Sequence, residues 1–180
     1  LPFDEGSGTT TLDRSSSGKD GSLLGNPTWV TGKRGFALEF DGTGDSVRVP
    51  NFTGVTGNTA FSVALWVKST TNNSSQQQSI VSWGQNSAGL RATLSLDGGK
   101  FRLDNAGGAA STDNSFYDGN WHHYSRVFDA VTQTRRTYVD GVLQGTDGYN
   151  DGACCGFSPR DLGDGGLRIG ASAAGDRLFL

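Results

Sequence analysis

Eight Asp-Gly dipeptides divide this 180-residue sequence into short segments, and they restrict its fold more than any other feature does. An Asp-Gly pair tolerates the positive φ that the type I′ turn of a β-hairpin requires. The pairs begin at Asp20, Asp41, Asp97, Asp118, Asp140, Asp147, Asp151 and Asp164. The segments between them are rich in β-branched and aromatic residues, and no helical periodicity extends over a dozen residues. The sequence therefore predicts an all-β protein.

Ten predicted strands recur at intervals of about 8–12 residues, which is typical of antiparallel sandwiches and barrels. They cover residues 36–40, 46–49, 61–68, 79–83, 88–96, 100–103, 121–128, 134–143, 167–170 and 177–180. Residues 61–68 form the most apolar of them and predict a central strand buried on both faces. Trp66 and Trp121 lie within strand patterns and are interpreted as core residues. No interior segment resembles a linker, so we expect one domain over residues 1–180.

Composition and charge exclude several classes of partner. There are 28 glycines, and the acids are sixteen Asp but only two Glu, which favours turns over helices. A net charge of −3 without clustered bases argues against nucleic acid. No apolar run approaches the roughly 20 residues that cross a bilayer, so membrane insertion is not expected. The sequence begins with Leu1 and carries no signal peptide, which we interpret as a mature form or a fragment.

Four stretches in order resemble the laminin G-like domains of the concanavalin A-like superfamily. They are Phe3-Asp4-Glu5-Gly6 with Asp13 to Gly21, then Trp29 to Asp45, then Phe61 to Val67, and finally Trp121-His122-His123 with Tyr138-Val139-Asp140-Gly141 and Leu167-Arg168-Ile169-Gly170. The resemblance implies a jelly-roll sandwich of two antiparallel sheets from a secreted or cell-surface protein. Members of this family usually continue into a further strand, so we expect a terminal strand to be missing at Leu180. An incomplete sheet exposes edges that pair with another chain.

The resemblance also implies a structural calcium ion near the N-terminal loop. The implied ligands are Asp13, Asp41 and Asp45, with Asp20 behind them. Calcium binds carboxylate and carbonyl oxygens of such Asp- and Gly-rich loops. Asp is also the ordinary residue for capping turns through backbone amides, and this alternative stays open.

Catalysis is not expected. Glu39 and Asp41 have the spacing of residues on one face of a strand, but no third acid completes a glycosidase arrangement, and we interpret them as structural. His122 and His123 are adjacent, so in a strand they point to opposite faces and do not share a metal. Neither P-loop nor dinucleotide fingerprint is present.

Loop aromatics and one unusual cysteine pair are the candidates for ligand contact. Trp83, Tyr117 and Tyr149 lie at strand ends or in loops and are candidates for stacking on a sugar ring, with Asn150 and Asp151 beside them for its hydroxyls. Cys154 and Cys155 are the only cysteines. We favour a vicinal disulfide, and two reduced thiols or an interchain bridge remain alternatives.

Together these features predict a non-catalytic module that binds a glycan or a glycosylated surface. The alternative is an adhesion or assembly module whose open sheet edge is completed by a neighbouring chain. The fold hosts many functions, so the ligand does not follow from it.

Overall fold

The computed structural model describes residues 1–52, 59–70, 77–84, 91–105, 108–111, 115–148, 166–171 and 179. Fourteen strands lie within these ranges. They are β1 (Thr10–Thr11), β2 (Gly21–Leu24), β3 (Thr28–Thr31), β4 (Phe36–Glu39), β5 (Ser46–Val49), β6 (Phe61–Val67), β7 (Gln78–Gly84), β8 (Arg91–Asp97), β9 (Lys100–Asn105), β10 (Gly108–Ser111), β11 (His122–Asp129), β12 (Thr134–Val139), β13 (Val142–Gly148) and β14 (Leu167–Ile169). The predicted all-β class is confirmed.

The strands form a large sheet, a smaller sheet and a separate hairpin. The large sheet has the order β1-β2-β5-β14-β7-β8-β9-β10, and the smaller one has the order β13-β12-β11-β6. The hairpin pairs β3 with β4. Neighbouring strands are antiparallel, including β14 between β5 and β7.

One apolar core joins the two sheets. The large sheet contributes Val47, Ile80, Leu94, Leu96 and Phe101, and the smaller sheet contributes Val67, Tyr124 and Val139. The rings of Phe101 and Tyr124 meet at a centroid distance of 4.7 Å. This face-to-face packing is the sandwich that the sequence predicts.

Two hairpin turns have positive φ at both central residues, one at an Asp-Gly pair and the other at the Gly-Gly pair that follows Asp97. Asp140 and Gly141 have φ values of 52° and 79° between β12 and β13, as a type I′ turn requires. Gly98 and Gly99 have φ values of 57° and 80° between β8 and β9. These local signals therefore place the hairpins correctly.

The position and burial of strand β6 differ from those that the sequence predicts. It occupies an edge of the smaller sheet in the described part of the chain, and its exposure alternates along the strand. Val63, Leu65 and Val67 turn toward the core, whereas Trp66 on the opposite face is 43% exposed. The expected central strand is thus buried on one face only, and Trp66 is not a core residue.

An apolar groove of about 390 Å³ follows β6 and is lined by its residues 63–67 and by Lys68 beyond its end. Ile80 and Ile169 of the large sheet line its opposite side. Phe179 also lies in it and packs on Phe40 at a centroid distance of 6.5 Å. Of the predicted strand 177–180, only Phe179 is described.

Several short strands carry no clear sequence signal. β1, β2, β3 and β10 have two to four residues each and lack an alternating apolar pattern. Gly21 in β2 lets the Val47 side chain lie close to the backbone, because a Cβ there would be 2.7 Å from Val47 Cγ1. Pairing with a neighbouring strand, rather than intrinsic strand preference, defines these elements.

Candidate binding site

A cleft of about 690 Å³ with polar and apolar walls opens where the β3–β4 hairpin meets several loops of the sandwich. We call it the loop cleft. Its lining residues come from five separate segments and are Asn26, Thr28, Val30, Thr31, Leu38, Glu39, Phe40, Asp41, Asp45, Lys68, Ser69, Thr70, Trp121 and Phe179. The side chains of Asn26, Glu39 and Lys68 are exposed, whereas Trp121 is half-buried. The cleft therefore combines an aromatic ring with hydrogen-bonding groups of both charges.

Asp45 fixes one wall of the loop cleft. It is only 4% exposed. Its Oδ1 accepts a hydrogen bond from the Asn26 amide at 2.6 Å, and its Oδ2 accepts one from the Asp41 amide at 3.2 Å. Asp41 in turn accepts from the Thr43 amide at 2.6 Å. These bonds join the loop at 25–26 to the loop at 41–45.

Asp13 lies in another turn. Its carboxylate accepts hydrogen bonds from the amides of Ser15 and Lys19, at 2.8 and 2.9 Å, and from the Ser17 hydroxyl. Hydrogen bonds from Ser17 and Ser15 hold the pKa of Asp13 well below its usual range. Asp20 accepts from the Asp13 amide at 2.8 Å. The carboxylates of Asp13 and Asp20 therefore accept hydrogen bonds from within this turn, residues 13–20.

The expected calcium ligands do not assemble into one site. Within the described ranges, no three His, Cys, Asp or Glu side chains stand close enough to hold a metal ion. Asp13 caps its own turn, and Asp45 uses both oxygens on backbone amides. Asp13, Asp41 and Asp45 accept backbone amides, as the turn-capping alternative predicts, and their role as calcium ligands stays a prediction. Calcium itself stays a prediction.

Of the ligand-stacking candidates, Trp83 is corrected. It is 4% exposed, and its ring meets Phe61 edge-on at a centroid distance of 6.2 Å across the sandwich. Tyr117 is partly buried beside Gly99 and packs against the core, and burial raises the pKa of its hydroxyl. Tyr149, Asn150, Asp151, Cys154 and Cys155 lie outside the described residues.

His122 is held between two carboxylates, an arrangement that the sequence does not indicate. Its Nδ1 lies 2.7 Å from Asp140 Oδ2, and its Nε2 lies 3.0 Å from Asp118 Oδ1. Phe116 covers the ring edge-on. Burial alone lowers the pKa of the imidazole, but the hydrogen bonds to Asp140 and Asp118 outweigh it and raise that pKa above 6.5. Asp140 also accepts from the His123 amide at 2.8 Å, so the group clamps the end of the smaller sheet.

The two acids considered for catalysis both line the loop cleft. Glu39 is exposed at the end of β4, and Asp41 caps the following turn through Thr43.

The described residues form no helix long and apolar enough to cross a bilayer.

With the sandwich and the loop cleft defined, the class of protein can be stated. The chain belongs to a laminin G-like family of the concanavalin A-like lectin/glucanases superfamily, whose model matches residues 41–180. The predicted family and jelly-roll fold are confirmed. Among curated protein sequences, none is similar enough to count as a match.

Three solved structures illustrate the fold. Domains LG4-5 of the mouse laminin alpha1 chain share 19% identity at a TM-score of 0.50, over 68% of this chain and 31% of that one. Domain 4 of the extracellular arabinanase AbnA from Geobacillus stearothermophilus, complexed with arabinotriose, shares 17% sequence identity at a TM-score of 0.59. The match covers 84% of this chain and 73% of that one. The Ruminococcus gnavus sialidase module CBM40 bound to alpha2,3 sialyllactose shares 12% sequence identity at a TM-score of 0.52. The match covers 66% of each chain. The chain thus spans about a third of the laminin fragment.

Proposed function

We propose that this chain is a non-catalytic module of a secreted or cell-surface protein and that it binds a glycan in the loop cleft. The observation that carries the proposal is the composition of this cleft. The half-buried ring of Trp121 lies among the exposed polar side chains of Asn26, Glu39 and Lys68. Sugar sites use this combination, because a pyranose has apolar C–H faces and a rim of hydroxyls.

The similar structures support the same class of ligand. Domain 4 of AbnA is complexed with arabinotriose, and CBM40 is bound to sialyllactose. Both belong to extracellular or glycan-directed proteins by their descriptions, which supports an extracellular location here. At this level of identity the comparisons establish the fold, so the ligand rests on the cleft.

A glycan array followed by calorimetry tests the proposal. Trp121→Phe and Asn26→Ala should weaken a ligand found on the array, the first by reducing ring area and the second by removing a polar contact. Thr146→Ala, an exposed substitution on β13 away from the cleft, serves as the control. An array without any binder, or binding that is equal in all four proteins, would contradict the proposal.

A bound calcium ion remains part of the proposal as a stabiliser of the loops. A ligand that binds only the folded state raises the midpoint of thermal unfolding by mass action. Unfolding is therefore measured with calcium and with chelator. Identical midpoints would remove calcium from the proposal without affecting the glycan.

Among the described residues β6 is an edge strand, which favours a second candidate, an assembly module. An apolar groove follows this edge, and an added strand from a neighbouring chain would pair with β6 and fill it. Sedimentation across a range of concentrations tests this candidate. Assembly without glycan binding would favour it, and a monomer at all concentrations would exclude it.

A further inference from the structure

The exposed face of β6 carries an aromatic ring with a lysine placed above it. Trp66 is 43% exposed, and the Lys33 ammonium lies 5.1 Å from its ring centroid. On the neighbouring strand, the ring of His123 lies 5.1 Å away at an interplanar angle of 58°. We call Trp66, His123 and Lys33 the Trp66 platform.

The platform is held in place by packing around the β3–β4 hairpin. Trp29 of β3 donates from Nε1 to the Gly8 carbonyl at 2.9 Å. Leu38 of β4 packs on the core, and the Phe36 ring covers Gly6. The turn between the strands is closed by a hydrogen bond from the Gly32 amide to the Gly35 carbonyl at 3.0 Å. Lys33 is therefore presented by an anchored turn.

Positive charge gathers around this ring in a protein whose net charge is −3. Arg34 follows Lys33 in the turn, and Lys68 follows Trp66 by two positions, and all three cationic side chains are exposed. One acid, Asp4, also approaches the turn, with Oδ1 2.7 Å from where a Gly35 Cβ would lie. A second acid, Asp140, accepts from the His123 amide, so three cations face two acids and the local balance still favours an anionic ligand.

The platform also adjoins the loop cleft. Lys68 lines that cleft and stands about 7 Å along the chain from Trp66, at the rise of an extended strand. A saccharide that occupies the cleft can therefore extend over Trp66.

We propose that the Trp66 platform is a second sugar subsite, selective for a carboxylate-bearing pyranose. The sugar's apolar face packs on the indole, and its carboxylate replaces the ring as the partner of the Lys33 ammonium. The flexible lysine stem permits this exchange. This inference rests on the proposed function and adds the charge of the ligand to it.

Calorimetry with charged and neutral probes tests the subsite. The probes are trigalacturonate with its neutral methyl ester, and 3′-sialyllactose with lactose, so that uronates and sialosides are distinguished. We expect at least one acidic probe to bind about tenfold more tightly than its neutral counterpart. That difference should shrink as salt is raised, because exposed charges are screened.

Lys33→Gln should remove most of this charge preference, and Trp66→Ala should weaken the acidic and neutral probes alike. Lys100→Gln is the charge control, and Leu143→Ala, 50% exposed on the same sheet, is the surface control. Both controls should bind as the unmodified protein does.

Two results would overturn the inference, and they are separable. If a glycan binds and Asn26→Ala weakens it while Trp66→Ala and Lys33→Gln do not, the subsite fails and the proposed function stands. If neither the four probes nor any glycan on the array binds, both fail together.

Discussion

At the scale of single residues, Asp45 is the side chain on which the loop cleft depends most. Its two oxygens accept the amides of Asn26 and Asp41, and it is only 4% exposed. Asp45→Ala leaves both donors without this acceptor, which should lower the free energy of unfolding by about 1–3 kcal/mol. Urea denaturation measures the change. Asp41→Ala is the control, because its exposed carboxylate caps one amide only, and an equal loss in both variants would contradict the argument.

His122 gives stability a pH dependence whose sign can be derived. The pKa of His122 is raised in the folded state. The contribution of His122 to stability is therefore complete below pH 6.5 and is lost as the pH rises through the raised pKa. Hydrogen bonds from Asn120, and then from His122, lower the pKa of Asp118 to about 2. The contribution of Asp118 to stability is therefore present above pH 3.8 and is lost as the pH falls through about 2. The clamp is therefore strongest between about pH 4 and 6.5.

The corresponding measurement is urea unfolding at pH 5, 7 and 9. The unmodified protein should lose stability as the pH rises from 5 to 9, and His122→Gln should lose less over the same range. His123→Gln, which removes the neighbouring ring but leaves the clamp, is the control. A pH profile for His122→Gln that parallels the unmodified one would show that other groups cause the dependence.

At the scale of elements, substitutions in the β12–β13 hairpin distinguish the cost of backbone strain from the cost of packing. A Cβ at Gly141 would meet no atom within 4 Å, but its φ is 79°, where an L-residue is strained. Gly141→Ala should therefore destabilise the protein by about 1–2 kcal/mol. Gly145→Ala on β13 is a matched control, since the space around it is also open and its φ is not positive. Denaturation midpoints that shift equally would refute strain as the cause.

Turns could be predicted from sequence because their signals are local, whereas sheet order could not. Asp140-Gly141 encodes its turn within two residues. Residues 61–68 are mostly apolar, so their sequence predicts burial on both faces and a core position for Trp66, whereas the structure covers only the face of Val63, Leu65 and Val67. Trp83 was placed at an exposed end of a strand that in fact is buried almost throughout. The loop cleft joins five separate segments, and the pairing of Asp118 and Asp140 with His122 also depends on the fold.

At the scale of the whole molecule, the shared core predicts that both sheets unfold together. Phe101 of the large sheet is 1% exposed and packs on Tyr124 of the smaller sheet. Phe101→Ala should cost about 3–5 kcal/mol, a large share of the 5–15 kcal/mol typical of a domain. Phe36→Ala removes an equal ring that is 46% exposed and should cost much less.

The same variant tests whether residues 1–180 behave as one cooperative domain. Tryptophan fluorescence reports on all four tryptophans, which include Trp83 in the large sheet and Trp66 in the smaller one, while far-UV circular dichroism reports on the strands together. If the core is shared, both signals should move to the same lower urea midpoint in Phe101→Ala, because neither sheet keeps its buried face without the other. Two separate transitions, with only one displaced by the substitution, would mean that the sheets are independent folding units.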